Sequence, residues 1–276
     1  MSLSVKQNRI KKLIQMTTLI IICSFLTSCH KEDEISATVP SPIDNAKILR
    51  LGSIQQREVG YQEMDFQQRL GLLVDWEFSK RQHNRLDRLI HLAKFQNASA
   101  CVEDINYLAE RHLDRNFILE LAACNYIPHA QNILIVGPTG AGKSYLAQAL
   151  GQAACRRYLS TRYIHLPDLL DELKIAKERG MEALHRLRKQ FVNYELLIID
   201  EWLLFPIQED DTQLLLSLVD RRYRQRATII VSQFEPTEWL DQIPIPVAAE
   251  AITDRLSAQA YKIVLQGKQS MRSSIQ

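Results

Sequence analysis

Asn132-Ile133-Leu134-Ile135-Val136-Gly137-Pro138-Thr139-Gly140-Ala141-Gly142-Lys143-Ser144-Tyr145-Leu146-Ala147 is the stretch that decides the fold. An apolar run with strand character meets a glycine-rich turn, and a helix-like stretch follows. Gly137 to Ser144 keep the full G-x-x-x-x-G-K-[ST] spacing of a phosphate-binding loop. Glycines let the backbone wrap a triphosphate with its N–H groups pointing inward. The helix start adds a positive dipole end. Gly137, Pro138, Thr139, Gly140, Ala141, Gly142, Lys143 and Ser144 are thus the expected ATP-binding residues. Lys143 reaches the β- and γ-phosphates and Ser144 ligates Mg²⁺.

A second motif is Leu196-Leu197-Ile198-Ile199-Asp200-Glu201. An apolar run ending in two acids reads as a buried strand whose C-terminal end enters a polar site. Ligand sites of open parallel sheets lie at that end. Asp200 is expected to hold the magnesium through water, and Glu201 to polarise the attacking water.

The chain of 276 residues has room for one nucleotide-binding domain and a smaller companion, and its hydrophobic fraction of 46% supports a packed core. A net charge of +2 does not mark a nucleic-acid binder, so such a role must rest on local clusters. Cys23, Cys29, Cys101, Cys124 and Cys155 form no C-x-x-C pair, which argues against a zinc site and a disulfide scaffold.

The first residues read differently. A basic start (Lys6, Arg9, Lys11, Lys12) leads into an uncharged apolar run, Leu13 to Leu26, and then Leu26-Thr27-Ser28-Cys29. This is the layout of a secretory signal, with a lipobox-like end that would place lipid on Cys29. Export conflicts with a phosphate loop, because ATP is found in the cytoplasm. The reading adopted is a lipoprotein-like leader over residues 1–29 joined to a cytoplasmic ATPase body, with Ser36 to Asn45 as linker.

From Met64 to Phe95 the pattern is helical, with Leu70, Leu73, Val74, Leu86, Leu89, Ile90 and Ala93 along one side. Arg81, Arg85 and Arg88 share a face near Lys80. They form either a solvated face or a contact for DNA or protein. Arg179, Arg186, Arg188 and Lys189 form a second basic cluster. Asp114 is placed to cap a helix from Arg115 to Ala123. After Gln131, strand-like runs (132–136, 161–166, 195–199, 227–231, 261–265) alternate with helical ones (143–157, 168–177, 182–191, 210–224, 248–259). Alternation of this kind implies an α/β fold, a parallel sheet covered on both faces. The expected domains are a leader and linker over 1–45, a small all-α domain over 46–130 and a P-loop domain over 131–276.

From Asp65 to Arg272 the chain resembles the IstB-like ATPases, helper proteins of two-gene insertion sequences. The stretches that carry the resemblance include Arg69-Leu70-Gly71-Leu72-Leu73-Val74-Asp75, Leu113-Asp114-Arg115, the phosphate loop and Asp220-Arg221-Arg222-Tyr223. Val231-Ser232-Gln233, Ala251-Ile252-Thr253-Asp254-Arg255-Leu256 and Ser270-Met271-Arg272 continue it. The resemblance implies an AAA+ module related to the helicase loader DnaC. It also implies ATP-bound homo-oligomers with shared ATP sites, assembled on double-stranded DNA and recruiting or activating a partner transposase. Gln233 falls where AAA+ proteins place a polar sensor of the γ-phosphate, and Arg255 where an arginine finger acts on a neighbour's ATP. Spacing alone makes Arg255 a helix-surface ion pair. Many members have two aspartates, an aromatic and a glycine where this chain has Asp200-Glu201-Trp202-Leu203. The alternatives are a helicase loader sharing this fold, and a lipid-anchored chimeric remnant without activity.

Overall fold

The computed structural model describes residues 65–107 and 113–266. The leader, its Cys29, the linker and the Ser270-Met271-Arg272 stretch lie outside those residues.

β1 (Ile133–Val136) is four β-branched or leucine residues, all buried. Such a run suits a strand covered on both faces. Four more strands join it: β2 (Thr161–His165), β3 (Leu196–Trp202), β4 (Ala227–Ser232) and β5 (Tyr261–Val264). Their spatial order is β2-β3-β4-β1-β5 and every pairing is parallel. β4 therefore separates the phosphate-loop strand from the strand that ends in acids.

Parallel neighbours need helical crossovers. These are α3 (Lys143–Arg156), α4 (Leu166–Glu178), α5 (Met181–Asn193), α6 (Glu209–Arg222) and α7 (Pro246–Ser257). Before the sheet come α1 (Phe66–Ala93) and α2 (Arg115–Ala122). Asp114 caps α2, accepting from the amides of Asn116 (2.8 Å) and Phe117 (3.4 Å).

Period-2 alternation divides the strands between two cores. Ile133, Ile135, Ile198, Ile229 and Val231 pack with Leu146 and Leu150 of α3 and with Ala100, Val102, Ile118 and Leu121 ahead of the sheet. Leu134, Val136, Leu197, Ile199 and Ile230 pack with Leu169 and Leu173 of α4, Leu215 and Leu218 of α6 and Ile252 of α7. Residues 100–127 thus share a core with the sheet, and Leu70 onward forms one compact unit. The change of texture at Gln131 marks where strands begin and not a gap in the packing. Gly151 fits where α3 presses closest: a Cβ there would lie 2.7 Å from both Ile198 Cδ1 and Phe95.

The apolar side of α1 is covered only toward its end: Ala93 is buried, but Leu70 (44%) and Val74 (57%) are exposed, as is Phe78 (63%). One expectation is corrected. The acid-bearing strand does not stop at Ile199 but runs to Trp202, with a register shift against β4 between Ile199 and Trp202. Trp202 explains the extension. It is fully buried, packs edge-on against Trp239 (5.6 Å between centroids) and gives its carbonyl to Ser232 Oγ (3.2 Å).

Candidate functional site

The loop from Gly137 to Gly142 leaves β1 and turns into α3. Gly137 has φ +152°, and a Cβ there would lie 2.3 Å from the Leu265 carbonyl oxygen, so the end of β5 demands glycine. Gly142, the N-cap of α3, has φ 85° and no side chain to cover the first-turn N–H groups. Those amides form an anion-binding concavity. Lys143, 8% exposed, donates from Nζ to the carbonyls of Gly137 (2.7 Å) and Pro138 (2.9 Å). Burial lowers its pKa and the Asp200 carboxylate opposes that shift. Ser144, next in the helix, is exposed.

Asp200 is 2% exposed, and each of its oxygens accepts a hydrogen bond. Its Oδ2 accepts from Tyr163 Oη (2.6 Å) and its Oδ1 from the Glu201 amide (2.7 Å). Burial and the Asp200 charge drive the Tyr163 pKa upward, so the phenol stays a donor. The register shift gives Glu201 a left-handed φ of 55° and turns it outward, 49% exposed. β2 pairs His165 with Asp200, which sets His165 Nδ1 3.6 Å from Glu201 Oε2. The other ring nitrogen, Nε2, is 2.5 Å from the Gln96 amide. Gln233, just past β4, accepts from Thr139 Oγ1 (2.9 Å) and so ties the end of that strand to the phosphate loop.

Lys143, Ser144, Asp200, Glu201 and Gln233 therefore gather at the C-terminal ends of β1, β3 and β4. Magnesium is usually held by one or two carboxylates, phosphate oxygens and waters, and does not need an all-protein cage. Ser144 and Asp200 fit that donor set. Both Asp200 oxygens accept one hydrogen bond and each keeps a further lone pair that could accept from a metal-bound water.

Arg255 lies at the other end of the sheet. Asn132, just before β1, donates to the carbonyls of Arg255 (3.3 Å) and Leu256 (3.1 Å). At about 3.3 Å per residue, β1 alone puts roughly 13 Å between that end and the phosphate loop. Arg255 Nε donates to Asp220 Oδ1 (3.0 Å), the ion pair that its spacing alone suggests, and its guanidinium lies 6.0 Å from the Tyr223 ring centroid.

The basic clusters differ in freedom. Lys80 sits over Trp76, Arg81 pairs with Glu77 (2.8 Å) and Arg85 lies over Tyr158. Arg88 is exposed. Arg186 pairs with Glu182 (2.9 Å), while Arg179 and Lys189 are exposed. Burial and nearby Arg221 lower the pKa of Arg188.

Sequence reasoning did not single out Tyr163, His165 or Gln96. Their meeting depends on the β2–β3 register, and nothing in their spacing announces it. Asp200 and Glu201 were legible because they end an apolar run.

A phosphate loop on β1, an acid pair on β3 and a strand inserted between them define a P-loop ATPase. The family of IstB-like ATP binding proteins matches residues 51–276, and the chain belongs to it. It is 39% identical over 204 residues to the insertion sequence ATP-binding protein y4pL of Sinorhizobium fredii, covering 74% of this chain and 82% of that one. With the IS1162 ATP-binding protein of Pseudomonas fluorescens it shares 41% over 170 residues, 62% of this chain and 73% of that one. The fold is similar to the DnaC helicase loader (TM-score 0.53, 16% identity, 60% of this chain and 97% of that one). It is also similar to the replication initiator DnaA bound to AMPPCP and single-stranded DNA (TM-score 0.54, 18% identity, 65% and 53%). Among the described residues, no helix is long and apolar enough to cross a membrane.

Proposed function

We propose that this chain is an ATP-dependent helper of transposition. It assembles on double-stranded DNA as an ATP-bound homo-oligomer and recruits or activates a partner transposase. The observation that carries this reading is the division of parts between the two ends of one sheet. A phosphate loop, two acids and Gln233 stand at one end, and Arg255 at the other, in a chain of an insertion-sequence family.

In this reading Gly137 to Ser144 wrap the phosphates, and Lys143 exchanges its loop carbonyls for phosphate oxygens. Ser144, and Asp200 through water, would hold a Mg²⁺ ion, which would supply positive charge against the phosphates. Glu201 accepts the proton of the attacking water, Gln233 reports the γ-phosphate and Arg255 serves the ATP of a neighbouring copy. Lys80, Arg81, Arg85, Arg88, Arg179, Arg186, Arg188 and Lys189 supply DNA phosphate contacts. In this reading hydrolysis belongs to the P-loop segment after residue 131, DNA contact is shared between it and the helical segment before it, and ATP places the protein in the cytoplasm. The kinship to insertion-sequence proteins favours this over helicase loading.

The test is ATP turnover by the full chain with Mg²⁺, with and without duplex DNA, together with particle size in each state. Turnover with ATP-dependent assembly on DNA supports the reading. A chain that hydrolyses ATP but remains a monomer off DNA refutes the assembly. Mass spectrometry of the N-terminus checks the compartment, and diacylated Cys29 would overturn it.

A further inference from the structure

At the end of the sheet away from the phosphate loop is a cavity of about 220 Å³, with Arg224, Arg255, His129 and Tyr223 in its wall. No carboxylate lines it. Both guanidiniums use one aromatic platform: Arg224 lies 5.1 Å and Arg255 6.0 Å from the Tyr223 ring centroid. Asp220 pairs with Arg255, whereas Arg224 has no ion-pair partner among the described residues. Arg224 also holds a left-handed backbone, φ 56°, as do Ala130 and Gln259 in the same wall. Such a conformation costs on the order of 1–2 kcal/mol in a residue with a Cβ. The loop pays that cost and presents an unneutralised cation to a cavity without acids.

We propose that Arg224 is a second cation, beside Arg255, for the triphosphate of the nucleotide bound by an adjacent copy of this chain. The inference rests on the shared-site reading of Arg255 and extends it. Two observations point to a triphosphate. The cations converge on a concave cavity, which suits a compact polyanion, whereas a duplex backbone is met by a spread row of cations. The cavity's own subunit cannot supply that anion, because its phosphate loop is at the far end of β1. A second guanidinium at fixed spacing then stabilises charge on the transferring phosphoryl.

Arg224→Asn tests this cleanly, because asparagine tolerates a left-handed backbone and removes the charge. The full-length variant is expected to keep its melting temperature and bind ATP as wild type does, while kcat falls about a hundredfold. Arg224→Lys should lose less. Mixing Arg224→Asn with Lys143→Ala subunits should restore turnover, since the mixed interface pairs an intact phosphate loop with an intact Arg224. Arg255→Ala mixed with Lys143→Ala runs in parallel. If only Arg255→Ala shows loss and recovery, Arg224 has no such role and the shared site stands. If Arg255→Ala is silent, or is lost without recovery in oligomers shown to be mixed, the shared site fails and this inference with it. Loss in Arg224→Asn without recovery, or weakened DNA binding at unchanged DNA-free turnover, also overturns the proposal.

Discussion

Leu203 holds a left-handed backbone, φ 51°, with its side chain fully buried. The resemblance noted from sequence puts glycine there in many family members. Glycine would relieve strain of about 1–2 kcal/mol, but removing a buried leucine side chain costs about 2–5 kcal/mol. Packing wins, so Leu203→Gly should lower stability by roughly 1–3 kcal/mol, read from a thermal melt. A raised melting temperature would mean that strain dominates. At the phosphate loop, Lys143→Ala should abolish measurable ATP binding, because no other cation lies in the loop; titration with a fluorescent nucleotide checks it, and unchanged affinity removes Lys143 from the site. Glu201→Gln should bind ATP yet turn over about 10²–10⁴ times more slowly, in a single-turnover assay. Both residues were legible from motif spacing. His165 was not, although it stands 3.6 Å from Glu201, because strand register brought it there.

At the scale of elements, the strands and helices were legible because burial follows period 2 or 3.6 so closely. Ends were less so. β3 outruns its apolar residues because a tryptophan pair, Trp202 and Trp239, holds the two polar positions in strand. The first half of α1 has a helical apolar stripe that the described core does not cover, since periodicity reports a face but not what meets it. Arg222, invisible as a structural residue in the sequence, ties three elements. Its guanidinium donates to Thr228 Oγ1 and to the carbonyls of Phe191, Val192, Tyr194 and Ala227. Burial pulls its pKa down to about 9, so the group stays charged at neutral pH, with carbonyls in place of a carboxylate. Arg222→Met would leave those carbonyls buried without donors, at about 1–3 kcal/mol each for the ones that water cannot reach. A total loss near 3 kcal/mol would lower the melting temperature by roughly 6–12 °C. A change under two degrees would show that water replaces the guanidinium.

For the whole molecule, the net charge of +2 gives no global pull toward a polyanion, so DNA affinity must come from local cations. The structure ranks those on α1. Arg81 is offset by Glu77 and Arg85 is committed to the Tyr158 face, whereas Arg88 is exposed and has no acid paired to it among the described residues. Arg88→Glu should therefore weaken duplex binding more than Arg81→Glu. Reversing Arg81, Arg85 and Arg88 together should weaken all duplexes alike, because phosphate contacts carry no base information. Each phosphate neutralised releases counterions, so the affinity should fall with log salt at a slope of about 0.9 per contact. The triple reversal should flatten that slope, and ATP should be needed because assembly multiplies weak contacts from each copy. Gel shifts over a salt series with ATP present measure both quantities. One tightly preferred sequence, or an affinity indifferent to salt, would place recognition elsewhere than in these arginines.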